Sequence, residues 1–146
     1  MTGISHRCQF RIYYEDTDHG GVIYYANYLK YMERGRTEYL RAAGIELDDV
    51  ETACGVMFAV TEANVRYRAS GRFNDLIEVD SVLTHAHGAR LAFRQQVWRT
   101  GSSAGSRRSL LAEAEIKLAC IDKQGAPKRI PSMLLPALKI HQSSSS

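Results

Sequence analysis

Five segments of this chain alternate apolar and polar residues with the period of two that a half-buried strand requires, and only one long segment carries the period of a helix. Cys8, Phe10, Ile12 and Tyr14 interleave with Arg7, Gln9, Arg11 and Tyr13. From Met57 to Arg68, polar Glu62, Asn64, Arg66 and Arg68 share one parity while Ala63, Val65 and Tyr67 share the other. Leu76 to Thr84, Arg90 to Arg99 and Leu111 to Ile121 follow, the last with Ala112, Ala114, Ile116, Leu118 and Cys120 on one side and Glu113, Glu115 and Lys117 on the other. The turn-rich stretches SGRFND, HAHGAR and TGSSAGSRR separate the last four, which predicts successive antiparallel neighbours.

The helical segment runs from Asn27 to Ala43 and is closed by Gly44 as a left-handed cap. Leu29, Met32, Tyr39, Leu40 and Ala43 recur at steps of three and four, with Gly35 between them and Lys30, Glu33, Arg34, Glu38 and Arg41 opposite. At 1.5 Å per residue it spans roughly 26 Å, the length of an eight-residue strand, so one such helix covers one face of one antiparallel sheet. The other face or an edge strand is then left uncovered, and dimerisation is the simplest cover. A shorter helix is expected near Ser132 to Leu138, after Pro131 and limited by Pro136. The fold class is therefore α+β in a single domain over residues 1–142, with Ser143 to Ser146 as a disordered tail.

A chain of 146 residues is long enough to bury roughly 70% of its unfolded surface. With 45% hydrophobic and 24% charged residues and a net charge of +3, it is neither disordered nor basic enough to argue for nucleic acid. No apolar run approaches the ~20 residues of a membrane span. MTGISHRCQF lacks the apolar segment of a signal peptide, and Cys8, Cys54 and Cys120 lack CxxC spacing, so free thiols and a cytoplasmic location are expected. No glycine-rich phosphate loop is present.

The chemistry gathers in YYEDTDHGGVIYYANY, Tyr13 to Tyr28, where Glu15, Asp16 and Asp18 precede Gly20 and Gly21 at the mouth of the helix. By residue type alone, EDTD fits a solvated turn or an Asx cap as well as a site. Tyr24, Tyr25, Tyr28 and Tyr31 fit packing around a helix start as well as pocket lining. Glu33 beside Arg34 fits a surface pair, and His85 and His87 fit a hairpin position, with no third metal ligand near them in sequence.

The order strand, acidic loop, long helix, four strands, together with YYEDTDHGGVIYYANYLKYMERGRTEYLR and VRYRASGRFNDLIEV, resembles the hotdog-fold thioesterases of the 4-hydroxybenzoyl-CoA type, and within them the tol-pal system-associated acyl-CoA thioesterases. The resemblance implies a five-stranded antiparallel sheet wrapped around one long central helix. It also implies hydrolysis of an acyl-CoA, without metal or redox cofactor, CoA being part of the substrate. It makes Asp18 the catalytic carboxylate and the backbone N–H of Tyr25, or a close neighbour, the donor that polarises the thioester carbonyl. Gly20 and Gly21 would let substrate approach the backbone, Tyr24 and Tyr28 would line the acyl pocket, and Asp16 would hold the loop. Two residues depart from the pattern: His19 stands where a small residue or Pro is usual, and Tyr25 where the tol-pal subgroup has His.

CoA phosphates call for cations at a rim, and Arg66, Arg68, Arg72, Arg90 and Lys128-Arg129 are available, with Arg68 and Arg90 the leading candidates; a solvated strand face accounts for each equally well. The expected assembly is a homodimer or a tetramer built as a dimer of dimers, acting on CoA or acyl carrier protein thioesters. Glu33 remains the rival carboxylate. A hydratase or dehydratase using His19, and a non-catalytic acyl-thioester binding module, are the alternative functions.

Overall fold

The computed structural model describes residues 5–18, 20–23, 25–100 and 108–142. The expected serine tail lies outside them. Strand β1 (Ser5–Arg11) leads into the acidic loop, helix α1 (Tyr25–Ala42) and a short helix α2 (Leu47–Cys54). Strands β2 (Met57–Tyr67), β3 (Leu76–His87), β4 (Arg90–Arg99) and β5 (Ser109–Ile121) follow, and helix α3 (Leu135–Gln142) ends the described chain. All pairings are antiparallel, in the order β1-β3-β4-β5-β2.

The expected period-two faces are the ones used. Ala63, Val65 and Tyr67 pair with Ile116, Ala114 and Ala112 on the face that carries α1, while Glu62, Arg66 and Glu113 take the other. Ile77, Val79, Leu83, Leu91, Phe93 and Val97 complete the buried inner face. Helix α1 lies on it with Tyr28, Tyr31, Met32, Gly35, Arg36, Tyr39 and Leu40 buried. Gly35 makes the close approach possible: a Cβ there would stand 2.7 Å from Val79 Cγ1 and 3.0 Å from Ser81 Oγ. Beneath it, fully buried Gln95 donates to Met32 O and Ser81 Oγ, both at 2.8 Å, and its Oε1 accepts from Arg36 at 3.0 Å. This network satisfies the polar groups that a helix-on-sheet contact would otherwise strand.

Five expectations are corrected. SGRFND does not join neighbours: β3 is already flanked by β1 and β4, so β2 takes the free edge of β5 and the 68–75 segment crosses the end of the sheet. The first strand stops at Arg11, because Tyr13 N turns to Asp16 and Tyr14 opens a 3-10 turn, leaving Tyr14 79% exposed. Leu29 is 41% exposed and lies off the buried stripe, which runs through Tyr28 and Tyr31 instead. Helix α2 was not anticipated, although Leu47, Val50 and Cys54 have helical spacing and Gly55 caps it with φ 70°. Helix α3 runs past Leu138, since Pro136 sits in its first turn, where no amide donor is needed.

Candidate functional site

The acidic loop folds on itself before α1 begins. Asp18 N donates to Val22 O at 2.9 Å, Gly21 N donates to Asp18 O at 3.0 Å, and Thr17 and Ile23 form a bridge. Gly21 sits at φ 76°, a conformation a side chain would strain. The Asp18 carboxylate closes the turn: Oδ1 accepts from Gly20 N at 2.8 Å and from Val22 N at 3.4 Å. A Cβ at Gly20 would stand 3.3 Å from that oxygen. One carboxylate oxygen is thereby fixed in direction, and the second has no hydrogen bond among the described residues.

Asp16 ties the loop together. Its Oδ2 accepts from Tyr13 N at 3.0 Å, and its carbonyl accepts from Asn27 Nδ2 at 2.8 Å, so the first turn of α1 is tied directly to the loop. Burial and the nearby Asp16 push the Tyr31 hydroxyl well above its ordinary value. The leading amides of α1, from Tyr25 onward, have no partner within the helix, and no acidic side chain occupies its first turn, leaving the positive end of the helix dipole uncompensated there.

The crossing segment 68–75 forms the second wall. Ile23 N donates to Gly71 O at 2.9 Å and Phe73 N to Gly21 O at 3.2 Å, while Val22 bridges Arg72. Gly71 N donates to the buried Tyr28 hydroxyl at 3.1 Å. Gly71 packs closely here: a Cβ would stand 2.4 Å from Ile23 Cδ1, so any larger residue must displace that side chain. The loop and this segment thus run antiparallel across the end of the sheet, with the Asp18 turn between the β1 side and the β2 side. On the β2 side the Tyr25 ring lies 4.6 Å from that of Tyr67, whose hydroxyl donates to Tyr25 O at 3.4 Å, and Tyr28 meets Tyr67 edge-on.

Of the residues singled out from sequence, Asp18, Gly20, Gly21, Tyr25 and Tyr28 come together here; Tyr24 and His19 lie outside the described residues. Arg68 is at the same end of the sheet but on the face away from α1, its Nε 2.8 Å from Glu113. Arg90 begins β4 opposite His87, nine residues and roughly 30 Å from Arg99 at the Asp18 end. Within one chain it does not join the site. Glu33 is exposed two turns along α1, in a groove of about 290 Å³ with Leu29, Lys30, Arg36, Val60, Ala63 and Ile116. Its expected partner Arg34 instead lies over the Phe10 ring, 5.7 Å from its centroid. Tyr67, Gly71 and Phe73 were missed; the signal was the glycine in SGRFND, read as a hairpin turn.

A model of the thioesterase-like superfamily matches residues 13–138. The acyl-CoA thioester hydrolase YbgC of Escherichia coli O6:H1 is 34% identical over 134 residues, 91% of this chain and 95% of its own. The crystal structure of a hypothetical protein from Thermus thermophilus, 30% identical, superposes with a TM-score of 0.85 over 97% of this chain and all of its own. A 4-hydroxybenzoyl-CoA thioesterase structure, 16% identical, shares the fold with a TM-score of 0.84 over 92% of this chain and 99% of its own. With a carboxylate turn and free helix amides at one end of a five-stranded antiparallel sheet, this chain belongs to the thioesterase-like superfamily and is a thioesterase of the hotdog fold.

Proposed function

We propose that this protein hydrolyses the thioester of an acyl-CoA to the free acid and CoA, with Asp18 as nucleophile or general base. The Asp18 turn carries the reading: Oδ1 is held by Gly20 and Val22, so Oδ2 is left to attack the carbonyl or to take a proton from water. The carbonyl oxygen accepts from the leading amides of α1 near Tyr25, where a developing negative charge meets the positive end of the helix. Addition of water across the carbonyl and cleavage of the C–S bond releases the acid and the CoA thiol, and neither step calls on a metal or redox cofactor. Tyr25, Tyr28 and Tyr67 wall the acyl side.

The working unit is a homodimer, or a pair of such dimers, joined through β2. That strand is an open edge, with Met57, Val60 and Tyr67 exposed at 37%, 49% and 40%. Pairing two β2 edges antiparallel about a two-fold axis brings the partner's Arg90 to the Tyr67 end of the sheet, within range of an anionic substrate. The free thiols of Cys8, Cys54 and Cys120 suit the cytoplasm.

Thiol release from a panel of acyl-CoA and acyl carrier protein thioesters, short, long and aromatic, tests the reaction and identifies the carrier. Hydrolysis of at least one class is expected, and no release from any would refute the reading. Light scattering tests the assembly, and the mass of a single chain at micromolar concentration would refute the β2 dimer.

A further inference from the structure

The Asp18 carboxylate and the polarising amides sit on two separate elements, the acidic loop and α1, and hydrolysis needs the two fixed relative to each other. Among the described residues one hydrogen bond joins them, from Asn27 Nδ2 of α1 to Asp16 O at 2.8 Å. Tyr31 stands one turn further along the same face of α1. A helical side chain leans toward the N-terminus of its helix, so the Tyr31 hydroxyl is carried back toward the loop.

Tyr31 is 1% exposed. Its ring stacks on Phe10 with centroids 6.1 Å apart and 21° between the planes, and it meets Tyr28 edge-on at 6.4 Å. A phenylalanine would make both contacts, so packing does not account for the hydroxyl. The hydroxyl oxygen is buried and makes no hydrogen bond among the described residues. Buried polar atoms are ordinarily paired, because a stranded one is costly. The charged group that acts on this one is Asp16: burial first, then the Asp16 carboxylate, hold the phenol above its ordinary value, so it is a donor at neutral pH. Asp16 has an oxygen to offer in return. Its Oδ2 accepts from Tyr13 N at 3.0 Å, and its Oδ1 has no hydrogen bond among the described residues.

We propose that Tyr31 is a positioning residue for the reaction: in the working enzyme its hydroxyl donates to Asp16 Oδ1, a second tie between α1 and the loop that sets the Asp18 carboxylate against the helix amides. Each group supplies what the other lacks, a donor and an acceptor. Asp16 is then held by Tyr13 N within the loop and by Asn27 and Tyr31 from the helix, while Thr17 Oγ1 donates to Tyr14 O at 2.7 Å. The chain therefore enters the Asp18 turn at one angle. The catalytic consequence rests on the acyl-CoA reading, whereas the bond itself does not.

Kinetics and NMR on the full-length protein test this. Tyr31→Phe keeps the ring and removes the donor; it should lower kcat for a good acyl-CoA about tenfold, the size of one hydrogen bond to a charged group, and leave KM within about a factor of two. Asp16→Asn keeps an oxygen for Tyr13 N and turns an NH2 toward the phenol, so the double variant should lose no more kcat than Asp16→Asn alone. Phe10→Leu is the packing control: it removes the stacked ring and should lower Tm while leaving kcat within about a factor of two. Without turnover, the Tyr31 hydroxyl proton should give a slowly exchanging resonance in the native protein that disappears in Asp16→Asn. Native kcat in Tyr31→Phe, losses that multiply in the double variant, or a hydroxyl resonance that is absent from the native protein or unchanged in Asp16→Asn would each overturn the assignment. So would a Phe10→Leu variant that loses kcat as Tyr31→Phe does, which would reduce the tyrosine to packing. Native protein that shows the resonance, and loses it in Asp16→Asn, yet hydrolyses no thioester would leave the Tyr31–Asp16 bond standing and refute the acyl-CoA reading instead.

Discussion

Replacing Asp18 by Asn leaves an oxygen to accept from Gly20 N and Val22 N and removes only the charge, whereas Ala removes both acceptors. The two bonds lie in a partly exposed turn, so their loss in Asp18→Ala should cost about 1–2 kcal/mol, at the low end for hydrogen bonds to a charged group. In a domain of this length each kcal/mol shifts Tm by about 2–4 °C, so Asp18→Ala should melt about 2–8 °C below the native protein. Asp18→Asn should melt within about 2 °C of native, since the turn keeps its geometry. Both variants should lose roughly 10²–10⁴ in kcat with little change in KM, because the lost charge acts on the reacting atoms and not on ground-state binding. Steady-state thiol release with a good acyl-CoA, paired with a melting scan of each variant, separates chemistry from folding. If Asp18→Asn keeps more than a tenth of native kcat, or melts as low as Asp18→Ala, the assignment of one oxygen to the turn and one to the reaction is wrong. Glu33→Gln, about 12 Å along the helix from Tyr25, serves as the counter-test and should leave kcat within a factor of a few.

Gly35→Ala should destabilise by about 1–3 kcal/mol, because Val79 Cγ1 at 2.7 Å must be displaced; an unchanged urea midpoint would show that α1 is free to lift off the sheet. Gln95→Leu should cost about 3 kcal/mol with an unchanged urea m-value, since it strands Ser81 Oγ and the buried Arg36 guanidinium together; a loss under 1 kcal/mol would mean water replaces the amide. Burial pushes the Cys8 thiol up to about 11 from its ordinary 9.0 and the Tyr39 hydroxyl to about 12 from 10.0. The folded state therefore holds these protons more tightly, so their contribution to stability should be fully present below pH 9 and be lost as pH rises toward 11 and beyond. Cys8→Ala should delay the onset of that loss in pH-dependent melts, and an identical alkaline profile in the variant would remove Cys8 from the cause.

The turn of the acidic loop was legible because its contacts are local. Asp18, Gly20 and Gly21 lie within four residues, and both the turn and the carboxylate's hydrogen bonds are made inside Thr17–Ile23. The faces of β2 and β5 were legible for a similar reason: parity along a strand is fixed by the pleat whatever its neighbour. Arg36 was not assigned to the core, since a guanidinium on a helix is ordinarily solvated, and what buries it is Gln95, 59 residues away. Arg90 was grouped with the site by charge alone, and the register of β4 against β3 sets it at the opposite end of the sheet.

Strand order marks the division most clearly. Pattern and turn residues determined five strands, one long helix and an acidic loop at its mouth, because each depends on periodicity or on contacts a few residues apart. Which strands pair is a competition among edges that no single segment contains. With β1 holding one side of β3 and β4 the other, β2 was left the far edge, and the 68–75 connection had to cross the sheet end. That crossing put Gly71 under Tyr28 and Phe73 against Gly21, and so supplied the second wall of a site of which the sequence displays only the first.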